Sequence, residues 1–163
     1  MFARVIIFLA VLLLQSLAFA QSSRVEELST VDRNFMQEQR DFIDQTARRY
    51  LGTQLKGQTR HDLGVLQALL DGELISRDNI QGLQAMGVVL GDCLQREEGL
   101  RWIVYIDQYG RSRALAVPGQ DEVIFPITMI SRRAEVGNKV DVDAVYNKAE
   151  AAVTEIRQII IVR

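Results

Sequence analysis

The sequence predicts an α+β fold: three N-terminal helices, an antiparallel sheet of about three to four strands, and a C-terminal helix packed on one sheet face. Three observations predict it. From Leu28 to Leu94 the apolar residues recur in steps near three and four, which is helical spacing. After Gly99 the period falls to two, the mark of a half-buried strand. After Asp141 the steps of three and four return. Helices, then strands, then a helix is the segregated order of an α+β domain, not the βαβ alternation of a parallel sheet.

The helices can be justified in order. Arg24 to Leu51 contains no proline or glycine, and Leu28, Val31, Phe35, Phe42 and Tyr50 form the apolar stripe of one long helix. Gly52 supplies its stop. A second helix runs from Thr59 to Leu70, with Leu63, Leu66 and Leu70 on one face and Asp71-Gly72 ending it. A third starts near Asp78, with Gln81 in capping-box position, and carries Ile80, Leu83, Gly87, Leu90 and Leu94. Gly82, Gly87 and Gly91 are costly inside a helix. Close approach of another backbone would explain them, so this helix should be the most buried.

The strands follow. Leu100, Trp102, Val104 and Ile106 alternate with Arg101, Ile103, Tyr105 and Asp107. Asp107-Gln108-Tyr109-Gly110 is a turn, Arg113 to Val117 the return strand, and Pro118-Gly119 a second turn. Glu122 to Phe125 and Ile127 to Val136 read as a further strand, broken at Pro126, which implies an edge or a bulge. Gly137-Asn138 reads as a short hairpin turn leading to Lys139-Val140. Asp141 can cap a last helix carrying Val142, Val145, Ala149, Ala152, Ile156 and Ile160. The β-branched residues Ile159 to Val162 suit either the end of that helix or a short edge strand.

The chain has 163 residues and a formal net charge of −2, enough for one ordinary domain. That excludes a large multidomain enzyme, a disulfide-rich miniprotein, a coiled coil and a multi-span membrane protein. It also argues against general nucleic-acid binding, since no excess positive charge is available for phosphates. The apolar residues are unevenly spread. Arg4 is the one charge in residues 1–20, Val5 to Leu14 is unbroken apolar sequence, and Ala18-Phe19-Ala20 closes the segment. A basic start, an apolar middle and an A-x-A end make a secretory signal peptide. The run is short of the ~20 apolar residues a membrane span needs. The expected division is a signal peptide at 1–20, a flexible lead at 21–27 and a single domain at 28–163. The mature protein would be periplasmic or secreted, without stable membrane insertion; the alternative is an uncleaved N-terminal membrane anchor.

Several blocks carry a family resemblance. They are Leu66-Gln-Ala-Leu-Leu-Asp71, Leu83-Gln-Ala-Met-Gly-Val-Val-Leu-Gly-Asp92, Trp102-Ile-Val-Tyr-Ile-Asp107 with Tyr109-Gly110, and Phe125-Pro-Ile-Thr-Met-Ile-Ser-Arg132-Arg133. The Gly-Val-Val-Leu-Gly-Asp and Phe-Pro-x-Thr-Met-Ile-Ser blocks are the more distinctive. The sequence resembles a bacterial family, the domain of unknown function 3806 (DUF3806), over about residues 60 to 145. The resemblance implies a bacterial source and one small domain. It brings no activity, cofactor or catalytic residue.

The chemistry-bearing residues are sparse. His61, the sole histidine, is followed by Asp62, and adjacent residues do not face each other on a helix. Cys93 is the sole cysteine and lies in an apolar stretch, where a thiol serves as a small core residue. Neither sits in a protease signature. No spacing suggests a zinc site, and Asp141-x-Asp143 lacks the rest of a calcium loop. No phosphate loop and no G-x-S-x-G elbow is present. No metal or cofactor is therefore expected. The better candidate is a surface: Arg101, Tyr105 and Asp107 on the polar face of the first strand, Tyr109 in its turn, Arg132 and Arg133 on the third strand, and Asp92 after Gly91. Trp102 falls on the opposite, apolar face and belongs to the core. These residues suit a non-catalytic interaction or accessory domain whose partner is an envelope protein or a small ligand. The alternative is a small exported hydrolase that pairs Asp92 with Asp107 in a cleft.

Overall fold

The computed structural model describes residues 23–137 and 139–158. The expected export segment at 1–20 and the tail at 159–162 lie outside them. The described residues form an α+β fold with five α-helices and one antiparallel sheet. The sheet runs in the order β1 (Arg24–Glu27), β2 (Arg101–Asp107), β3 (Gly110–Ala116) and β4 (Val123–Ile124).

The chain start differs from the expectation of a flexible lead followed by a helix from Arg24. Residues Arg24–Glu27 are a strand paired with Ile103–Ile106 of β2. The helix α1 (Thr30–Leu51) starts later because Ser29 and Asp32 form a reciprocal capping box. Gly52 then closes α1 in the left-handed conformation, as its sequence position suggests. The helix α2 (Thr59–Asp71) lies where the spacing places it. The helix α3 (Ile80–Glu98) is capped by Asn79, whose side chain accepts from Gly82 N at 2.9 Å, and not by Asp78.

Helix α3 is the buried centre of the domain. Its apolar residues face all ways: Leu83, Met86, Leu90 and Leu94 are joined by Ala85, Val88, Val89 and Cys93 in burial. A helix apolar all round packs on every side. The expected backbone approach occurs at Gly87, where an added Cβ would stand 2.3 Å from the Ile127 carbonyl oxygen. At Gly91 the neighbours are side chains, the Trp102 ring and Pro126.

Two sequence expectations are corrected. Residues 127–136 are not a strand: Pro126–Thr128 is a 3₁₀ turn that leads into the helix α4 (Met129–Glu135). Proline suits a first helical position, and Ile130 and Ala134, buried four apart, point at α3. Arg132 and Arg133 therefore sit on a helix and not on the third strand. Gly137 follows α4 in a turn and not in a hairpin. The C-terminal helix α5 (Val142–Gln158), capped by Asp141 as expected, packs on α2, α3 and α4 and not on a sheet face. Because α3 is apolar on both sides, it separates α5 from the sheet.

Helices α1 and α3 cover the inner sheet face, which carries Trp102 and Val104 of β2 beside Leu115 and Arg113 of β3. Arg113 lies over the Phe35 ring of α1, 4.1 Å from its centroid. The outer face carries Arg101, Ile103, Tyr105 and Asp107, with Ser112, Ala114 and Ala116 of β3 beside them. Because these β3 residues are small, a ring from β2 and one from the residue after β4 meet above them. Tyr105 and Phe125 pack edge to face, with centroids 5.6 Å apart.

Candidate functional site

Asp92 organises a polar knot between α1, α3 and β2. Gly91 lacks a side chain, so the six-membered ring of Trp102 approaches α3 more closely than an added Cβ would allow. That brings Trp102 Nε1 to donate to Asp92 Oδ1 at 2.9 Å. From α1, Arg40 donates through Nε to Asp92 Oδ2 at 2.6 Å and through Nη2 to Oδ1 at 2.9 Å. One carboxylate thus accepts three N–H groups and joins α1, α3 and β2. The pair is half-buried, with the Arg40 and Asp92 side chains 28% and 18% exposed. The Asp92 carboxylate holds the Arg40 guanidinium above its ordinary pKa. Asp92→Ala should cost about 2 kcal/mol, because it leaves a half-buried guanidinium and an indole N–H without their acceptor. A denaturation curve read by Trp102 emission checks this, and an unchanged midpoint would refute the knot.

Shallow cavities surround the knot. One of about 400 Å³ is bounded by Arg33, Met36, Arg40, Gln95, Arg101 and Trp102, among others. A second of about 580 Å³ shares Arg40 and Gln95 with it and reaches Arg96 and Gly99. A third of about 290 Å³ opens on the other side of Arg40, towards Asp44 and Asp62. Those two carboxylates hold the loop between α1 and α2. Asp44 Oδ1 accepts from Leu55 N at 2.8 Å and Asp62 Oδ1 from Lys56 N at 2.9 Å.

The seven residues read from sequence as one surface do not converge. Asp92 and Arg101 border the cavities beside Arg40. Arg101 also pairs with Glu27 across the outer sheet face. Tyr105 lies on that outer face against Phe125. Asp107 and Tyr109 are at the hairpin tip, where Asp107 Oδ1 accepts from Tyr109 N at 2.8 Å and the Tyr109 ring is 88% exposed. Arg132 is exposed on α4. The expected cleft between Asp92 and Asp107 is not formed. Asp92 contacts Trp102 at one end of β2, and Asp107 stands at the other end on the opposite face. Five residues of strand separate the two ends by about 17 Å, and among the described residues no cavity reported above is lined by both carboxylates.

Arg40, Asp32 and Phe125 escaped sequence reading. Arg40 meets Asp92 across 52 positions, and no local pattern announces it. Asp32 was legible in principle, since Ser29 and Asp32 have capping-box spacing. Phe125 could have been paired with Tyr105 from the small residues between them.

The lone histidine and cysteine each have a structural setting. His61 Nε2 donates to the Gln54 carbonyl at 2.9 Å. Cys93 is buried in the core, and burial pushes its thiol up to about 11. A thiol with that pKa and no access is inert at neutral pH. Cys93 should therefore resist a maleimide in the native state and react after unfolding. Rapid native labelling followed by mass spectrometry would contradict this burial.

Comparison with known proteins adds the following. No curated protein matches the chain. A crystal structure of a protein from Bacteroides thetaiotaomicron VPI-5482 is similar in fold, with a TM-score of 0.70 and 20% sequence identity. The similarity covers 78% of this chain and 47% of that one, so this chain spans about half of its relative's length. The model of the family described as Domain of unknown function (DUF3806) matches residues 62–146. That span runs from Asp62 of α2 to Tyr146 of α5. It contains Asp92 and Trp102 and leaves Arg40 outside. With more than half of its length matched, and with the distinctive blocks of α3 and α4 inside the match, the chain belongs to the DUF3806 family.

Proposed function

We propose that this chain is an exported bacterial protein, periplasmic in location, that acts as a non-catalytic interaction domain. The observation that carries the reading is the outer sheet face. Tyr105 and Phe125 pack there beside Val25, which is 51% exposed, and the Arg101–Glu27 ion pair lies at one end. Partly exposed aromatic rings beside buried Ile103 and Ala114, with a charged rim, match the usual anatomy of a protein interface. The occupant is a folded envelope protein that covers this face. Strand addition at the edge is disfavoured, because β1 is four residues long and three of them, Arg24, Glu26 and Glu27, are charged.

Support for a binding role also comes from the acid–base groups. Asp92, His61 and Asp107 each engage a hydrogen-bond partner within the fold, and Cys93 is buried. The signal pattern of residues 1–20 supports export. No helix of the described residues is long and apolar enough to cross a membrane.

Two experiments test the reading. N-terminal sequencing of the protein from an envelope fraction should begin at Gln21; an intact Met1 would overturn cleavage. Tyr105→Ala combined with Phe125→Ala should abolish co-purification of a partner captured by the native chain from an envelope extract. An unchanged partner list would refute the outer face as the interface.

A further inference from the structure

The groove beside Arg40 shares the Arg101–Glu27 pair with the rim of the outer face, but its other residues and its chemistry are different. Its two larger cavities adjoin at Arg40 and Gln95, giving a shallow channel along α1, α3 and the start of β2. Four arginines line it, Arg33, Arg40, Arg96 and Arg101, against two carboxylates, Glu27 and Asp92. The chain as a whole carries −2, so the channel has the opposite sign to the molecule.

The four arginines are not equally engaged. Arg40 is consumed by Asp92, and Arg101 by Glu27 in an exposed pair of little strength. Arg33 donates to the Leu28 carbonyl, and Arg96 donates to the Thr59 hydroxyl at 3.2 Å. Among the described residues neither Arg33 nor Arg96 has a carboxylate partner. They come from different helices and line different halves of the channel, with Gln95 common to both halves. Two guanidiniums set apart along a channel offer two anion seats, and an amide between them can pair with a peptide backbone.

We propose that this channel binds an extended acidic peptide segment, with one carboxylate at Arg33 and another at Arg96. A single small anion would fill one seat and leave the rest of the channel empty. Carboxylates repeated along a chain match both seats. Opposite charge also steers such a segment towards an otherwise acidic protein.

The test uses the full chain and a fluorescein-labelled hexaglutamate, followed by anisotropy and by emission of Trp102, the single tryptophan, which lines the channel. Saturable binding that weakens as salt rises is expected, with hexalysine inactive. Arg33→Ala with Arg96→Ala should weaken binding about tenfold, the scale of two exposed charge pairs. Both side chains are exposed, so the thermal transition of this variant should stay in place. Arg33→Lys with Arg96→Lys should keep most of the affinity, because the charge remains. Tyr105→Ala with Phe125→Ala should bind hexaglutamate normally, which separates this site from the outer face. Equal affinity in the double alanine variant would overturn the proposal. So would displacement by equimolar inorganic phosphate, which would mark a lone-anion seat, or tighter binding of a sulfated oligosaccharide, which would mark a glycan site.

Discussion

Replacing Asp32 with alanine should destabilise the domain by about 3 kcal/mol, because its buried carboxylate holds two arginines that themselves reach solvent. Asp32 is 1% exposed. Its carboxylate accepts two bonds from Arg111, at 2.8 and 2.6 Å, and one from Arg113 Nε at 3.0 Å. It also accepts from Ser29 N at 3.0 Å and completes the cap of α1. Without it, Arg113 stays largely buried against Phe35 with no counterion, and the hairpin loses its link to α1. Asp32→Asn keeps the cap acceptor and removes the charge, so it should cost less. The difference between the two variants isolates the cap, worth about 1 kcal/mol.

The same residue predicts a pH dependence. Hydrogen bonds from Arg111 hold the Asp32 carboxyl well below the usual carboxylate range; burial opposes this, and the Ser29 bonds add to it. The folded pKa is depressed, so the folded state binds fewer protons here than the unfolded chain. Its stabilisation is complete above the unfolded pKa of about 4 and is lost as pH falls from there towards the folded value. Urea titrations between about pH 7 and pH 2 should show the gap between native and Asp32→Asn proteins closing at the acid end. A gap that stays constant would rule out this linkage.

Gly87→Ala should also be severe, and opposite in sign to Gly64→Ala. Both glycines are interior helix positions, where alanine alone is favoured by up to about 1 kcal/mol. At Gly64 on α2 an added Cβ meets nothing within 4 Å, so the substitution should stabilise by that amount. At Gly87 the Cβ would stand 2.3 Å from the Ile127 carbonyl oxygen and 2.6 Å from its carbon. These are backbone atoms between the buried residues Pro126 and Ile130, and no rotamer relieves the clash. Forcing α3 away from the 3₁₀ turn should cost about 3 kcal/mol, outweighing the helical gain. Chemical denaturation of the two variants decides the matter. A shift of the same sign in both would show that Gly87 is not a close-approach site.

Much of this fold was legible because its signals are local. The helix from Thr59, the alternation after Gly99, the turn at Asp107 and the Asp141 cap each depend on residues within a few positions of one another. The glycines of α3 also announced a close neighbour, and Gly87 has one. The misread segments were those where local pattern competes with tertiary packing. Residues 127–136 are rich in β-branched and apolar side chains, yet Ile130 and Ala134 find their burial on α3, and packing overrode propensity. Arg24–Glu27 carries no proline or glycine to end a helix, and only the open edge of β2 makes it a strand.

The site divides in the same way. The sequence by itself determined the α+β class, the family, the axis of α3 and which β2 residues share the outer face. These follow from periodicities of two and 3.6, which the chain carries in its own order. Tertiary structure alone decided that Asp92 binds Arg40 and Trp102, that Asp32 holds two arginines, and that Asp92 and Asp107 stand apart. Hydrogen bonds between side chains 10 to 81 positions apart leave no periodic trace in a single sequence. They exist only once burial of α3 has brought α1 and the sheet together around it.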